Sequence, residues 1–150
     1  MRLKDILQPS IFGVFDGATS VIGIILTLTG HAEQVIPTSL GLASAGAVGM
    51  AAGSYLSDDS KTGLTASVSI GVATGLGTML PVLPYLFTSG ISAIIASFIV
   101  LIIIGAMISV ARVKFGAHSW ARAFIQTYAV LILVCAAVGV CTLATGSGAN

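Results

Sequence analysis

Charge is what this sequence has least of: Asp, Glu, Lys and Arg together make up 7% of its 150 residues, and the formal net charge is +1. So sparse a charge offers no basic surface for a phosphate backbone, which argues against nucleic acid as a partner. Cysteine is nearly missing as well. The two present, Cys135 and Cys141, are six apart and so fall on different faces of one helix; they read as small apolar packing residues and say nothing about redox compartment. What replaces charge is apolar surface: 56% of the residues are hydrophobic and the mean hydropathy is +1.08, beyond what a water-soluble domain of this size shows. No enzymatic activity and no bound cofactor are expected.

The apolar residues are gathered into five runs, at about 11–30, 36–57, 64–87, 91–111 and 123–145, each near the roughly 20 residues that cross a bilayer as a helix. They lack the alternating pattern of barrel strands, and backbone satisfaction in lipid then leaves helices. The expected fold is an all-α integral membrane protein, one transmembrane domain over residues 1–150 with no separate soluble module. Arg2, Lys4, Lys61, Arg112, Lys114 and Arg122 all fall on one side of a five-span topology. Positive loops stay inside, which puts the N-terminus in the cytoplasm and the C-terminus on the opposite side. The first run is long for a signal peptide and carries an acid, so no cleavable leader is expected.

Glycine is patterned. Gly13 and Gly17, then Ala45, Gly49 and Gly53, then Gly71 and Gly75 form small-xxx-small rows that suit close helix contacts in lipid. Pro81 and Pro84 remove backbone donors and are expected to bend or break helix 3 near the outer leaflet. The run Ile99-Val-Leu-Ile-Ile-Ile104 makes helix 4 the most apolar, hence the helix expected to face lipid. Trp120 and Tyr85 sit where interfacial aromatics anchor a bundle.

One acid interrupts the apolar pattern. Asp16 lies in Ile11-Phe-Gly-Val-Phe-Asp-Gly-Ala-Thr-Ser20, and an ionised side chain at membrane depth costs at least about 2.5 to 3.5 kcal/mol, so such residues usually face a cavity or a partner. A protonated Asp held in a helix contact is the other reading. At about 1.5 Å per residue, Asp16 stands about 8 Å above the cytoplasmic end of helix 1 and Met50 about 10 Å above that of helix 2, so the two can share a layer. A hard carboxylate with a soft thioether suits a borderline metal such as Fe²⁺, whereas Mg²⁺ or Ca²⁺ wants oxygen alone; Met50 by itself is equally a packing residue. Asp58 and Asp59 follow helix 2 directly and either concentrate cations at the cytoplasmic mouth or form a solvated turn. His31 and Glu33, two apart, are the ionisable pair of the outer side, read as a cation relay or as solvated loop. His118 reads as solvated surface.

Four stretches resemble the vacuolar iron transporter family. Phe15-Asp-Gly-Ala-Thr-Ser20 is similar to its Asp-Gly pair in helix 1, and Val48-Gly-Met-Ala-Ala-Gly-Ser-Tyr-Leu-Ser57 to its Met-x-x-Gly-x-Tyr-Leu stretch closing helix 2. Leu80-Pro-Val-Leu-Pro-Tyr85 resembles its Ile-Pro-Leu-Leu-Pro-Tyr type signature, and Ser119-Trp-Ala-Arg-Ala-Phe124 the Pro-Leu-Arg-Ser-Ala stretch opening helix 5. The resemblance covers nearly the whole chain. It implies a homodimer whose first helices meet and line a path for Fe²⁺, moved out of the cytosol in exchange for protons. Asp16 and Met50 take the places of the residues associated with that path.

The chain departs from the family pattern at two places. Members typically carry a long Glu-rich cytosolic metal-binding segment between helices 2 and 3; here the connection is Ser57-Asp-Asp-Ser-Lys-Thr-Gly63, and nodulin-like members also lack the insert. Ser54 stands where many members have Glu, leaving fewer carboxylate ligands. The implied activity is proton-coupled export of Fe²⁺, and also Mn²⁺, across a prokaryotic plasma membrane or a vacuole-like organelle membrane. The alternatives are a non-transporting membrane scaffold of the same fold and a rotor-type proteolipid with one intramembrane carboxylate. Five spans, no hairpin repeat and the off-centre Asp16 argue against the rotor.

Overall fold

The computed structural model describes residues 3–57, 63–115 and 119–145. They form five helices and one 3-10 segment: α1 Leu3–Thr27, α2 Ala32–Ser57, α3 Gly63–Met79, the 3-10 segment Leu80–Leu86, α4 Gly90–Phe115 and α5 Trp120–Thr145. Five spans of 22 to 26 residues are long and apolar enough to cross a membrane. Connections are short, so successive helices run up and down.

Each helix begins before the apolar run predicts, and α1 and α3 also end before it does. α1 begins at Leu3 and takes Pro9 within its first two turns, where a missing N–H removes only one intrahelical bond. α4 continues to Phe115, with Arg112 and Lys114 in its last turn, where cations complement the helix dipole. α3 stops at Met79, and Pro81 and Pro84 carry the chain on as a 3-10 turn to Leu86. Two prolines three apart withdraw the donors an α-helix would need, and the tighter 3-10 winding follows.

α1 is the central helix. One side of it presses into α3 with almost no side chain between: a β-carbon on Gly13 would strike the Ile70 carbonyl, one on Gly17 would lie 2.7 Å from the Thr78 backbone nitrogen, and Gly77 of α3 sits on the backbone of Val14. On its far flank α3 receives α2, where Gly71 packs against Ala47 and Ala51. The opposite side of α1 joins α4 and α5 through Ala18, Ile22, Leu101, Ile104, Ile108 and Leu131. A second apolar cluster, Val21, Ile25, Val35 and Val82, closes the other end against the 3-10 segment.

Four buried hydroxyls are turned onto their own helices. Thr74 and Thr78 donate to the carbonyls four residues earlier at 2.9 Å, and Ser109 and Thr127 do the same at 2.8 Å, which satisfies these groups without water. The buried hydroxyls of Ser39, Tyr85 and Ser97 have no hydrogen-bond partner among the described residues.

The expectation that α4 faces lipid holds for only part of it. Ala93, Ser97, Leu101, Ile104, Gly105, Ile108 and Ser109 form a buried stripe, while Ile95, Ile99, Ile102 and Ile103 are exposed. α5 is the more peripheral helix, with only Ala123, Thr127 and Leu131 buried. Uniform hydropathy hid this difference, because lipid and protein neighbours select the same apolar residues.

Candidate functional site

Asp16 owes its position to the glycines beside it. Because Gly13 and Gly17 must face α3, a residue one step from Gly17 is turned about 100° away from that contact. Asp16 is half-buried there, and among the described residues its carboxylate has no hydrogen-bond or ion-pair partner. Its row continues along α1 through the exposed Phe12, Ser20 and Thr27. A β-carbon added to Gly23, in the same row, would meet nothing within 4 Å. Beyond Phe12, which borders a space shared with α4 and α5, this face of α1 is polar for a membrane helix and is exposed or half-buried.

Thr74 of α3 is the hinge between the two helices that carry the expected ligands. Its Oγ1 lies against the Gly13 position of α1 and its backbone carbonyl against Gly17, while its Cγ2 lies against Gly46 of α2. Gly46 is therefore level with the Asp16 region. Met50, half-buried, is four residues further along α2, about 6 Å nearer the end of the bundle where α2 meets the 2–3 connection. The layer expected from counting residues opens into an offset of about one turn along the bundle.

Asp58 and Asp59 lie outside the described residues, as does His118. His31 and Glu33 do come together at the other end of the bundle, Nδ1 to Oε1 at 3.8 Å, both well exposed to solvent. Among the described residues no three His, Cys, Asp or Glu side chains form a group able to hold a metal.

Other residues stand in places that their sequence reading did not give them. The row Ala45, Gly49, Gly53, joined by Gly41, faces outward, and added β-carbons at its three glycines would meet nothing within 4 Å. α2 contacts α3 instead through Ala43, Ala47 and Ala51, two positions and so about 200° away. Ser54, where a Glu would match the family pattern, accepts a hydrogen bond from the buried Ser67 at 3.1 Å. Arg112 donates to Gln126 Oε1 at 2.8 Å and to Thr127 Oγ1 at 3.2 Å, tying α4 to α5. No family model, curated protein or solved structure matches the chain.

Proposed function

We propose that the chain is a proton-coupled transporter that exports divalent transition metal, Fe²⁺ and also Mn²⁺, from the cytosol, working as a homodimer of the vacuolar iron transporter type. The observation that carries this reading is Asp16 itself: a carboxylate at membrane depth, without a partner among the described residues, on a helix face left open. A charge in that position requires something from outside the chain, whether a proton, a metal or a second protomer.

A dimer brings all three. Two copies meeting along the open face of α1 place two Asp16 carboxylates across a shared path, with Met50 of each protomer bordering it. Two carboxylates so placed repel one another when both are ionised, which favours either a bound cation or a shared proton. Metal and proton therefore exclude each other at the pair, and alternate loading from the two sides of the membrane is antiport. Asp58 and Asp59 would gather cations at the cytoplasmic mouth, which by the positive-inside rule is the end where α1 begins, since all six Lys and Arg fall on that side.

Mn²⁺ binding to the purified protein tests the site. The electron paramagnetic resonance lines of free Mn²⁺ are expected to diminish on adding wild-type protein, to return as the pH is lowered, and to persist when Asp16→Asn is added instead. Equal loss of signal with both proteins would remove Asp16 from the metal path.

A further inference from the structure

A cavity of about 660 Å³ opens between α1, α4 and α5, at the end of the bundle where α1 and α5 begin and α4 ends. That size falls within the roughly 300 to 1,000 Å³ of small-ligand sites. Phe12 and Phe15 of α1, Ile108 and Phe115 of α4 and Val130 of α5 supply apolar wall, and among the described residues the only charged one lining it is Arg112.

The chemistry of Arg112 specifies the occupant. Its guanidinium is held in place by Gln126 and Thr127, both neutral acceptors, and among the described residues it makes no ion pair. Neutral acceptors orient the planar fork without cancelling its charge, and two hydrogen bonds leave three of its five N–H donors for a ligand. A fixed cation at the rim of an apolar cavity, one turn inside the end of a membrane helix, complements an anion attached to a hydrocarbon chain. Lys114 and Arg122 stand at the same end but do not line the cavity. Exposed Trp120 stacks on Phe124 at 6.3 Å, and an amphipathic ring of this kind sits at headgroup depth.

We infer that this cavity binds one anionic glycerophospholipid, its phosphate on Arg112 and one acyl chain between α1 and α4. Free phosphate would leave the apolar walls unfilled, and a zwitterionic lipid would bring its own cation to the guanidinium. The lipid would brace α1 against α4 and α5 on the side of α1 away from α3, and so steady the helix that carries Asp16.

The test uses delipidated full-length protein in detergent, with phosphatidylglycerol, phosphatidylcholine or inorganic phosphate added, read by native mass spectrometry and thermal unfolding. Phosphatidylglycerol is expected to be retained at one per protomer and to raise the unfolding midpoint, with phosphatidylcholine and phosphate doing neither. Arg112→Gln is expected to weaken phosphatidylglycerol binding about fivefold, the loss typical of one basic residue at a lipid surface. Ala111→Leu, which fills the cavity and keeps the charge, weakens it too, and Lys114→Gln leaves it near wild type. Equal retention of the two lipids would overturn the inference, as would unchanged binding in Ala111→Leu. A loss in Lys114→Gln as large as in Arg112→Gln would do the same, since it would mean attraction to the basic end at large and no site in the cavity.

Discussion

Gly17 of α1 sits directly on the backbone carbonyl of Thr74 in α3, so close that no β-carbon fits between them. This contact fixes the rotation of α1, and through it the direction in which Asp16 looks. Gly17→Ala is expected to cost about 1 to 3 kcal/mol, the usual penalty for forcing atoms into a filled contact. Gly139→Ala, where the new methyl meets nothing within 4 Å, should stay within about 0.5 kcal/mol of wild type. Reversible unfolding in detergent checks both.

The open face of α1 yields a different outcome. Gly23 lies on it with empty space beyond, so Gly23→Leu leaves the single-chain fold intact. If the first helices meet across a dimer, that leucine separates them. Light scattering of the purified variant is expected to show a folded monomer where wild type is a dimer; a dimer as tight as wild type would place the contact elsewhere.

Between α5 and α4, Tyr128 donates its hydroxyl to the Ile102 carbonyl at 2.9 Å, and its ring packs near Gly105. Tyr128→Phe keeps the packing and removes the bond. Interhelical hydrogen bonds in membranes average about 0.6 kcal/mol, so a loss of that order is expected in denaturant titration, with no change in metal binding.

Asp16→Asn separates function from stability. A carboxylate with no partner among the described residues does not hold the fold together, and exchanging it for a neutral amide lowers the cost of keeping it at membrane depth. The variant should unfold at or above the wild-type temperature while losing Mn²⁺ binding, the pattern of a residue kept for activity at some cost in stability. A marked drop in unfolding temperature would assign Asp16 to a helix contact.

Much of this architecture was legible in the residues. Five apolar runs gave five helices, Pro81 and Pro84 ended α3 as expected, and the Gly13 and Gly17 pair found its close neighbour in α3. Partner choice was less legible. The row Ala45, Gly49, Gly53 has the same spacing yet faces outward, because small-residue spacing shows that a helix can be approached closely and not from where. Likewise, counting from helix ends set Asp16 and Met50 level, whereas α3 sets them about a turn apart through the chance of which glycine meets Thr74. Arg112 read as a topology marker only. Its place on a cavity wall depends on Gln126 and Thr127 coming across from α5, a tertiary fact with no local signature.

The central claim is exchange of metal for protons through Asp16, and the most direct measurement follows both ions in the same vesicles. Purified protein is reconstituted into liposomes, Fe²⁺ is added outside under an imposed pH gradient, and Fe²⁺ entry and internal pH are recorded together for wild type and Asp16→Asn. Wild type is expected to show Fe²⁺ entry matched by proton exit, and the variant neither flux. Folded wild-type protein that moves no metal, or a variant that moves as much as wild type, would contradict it.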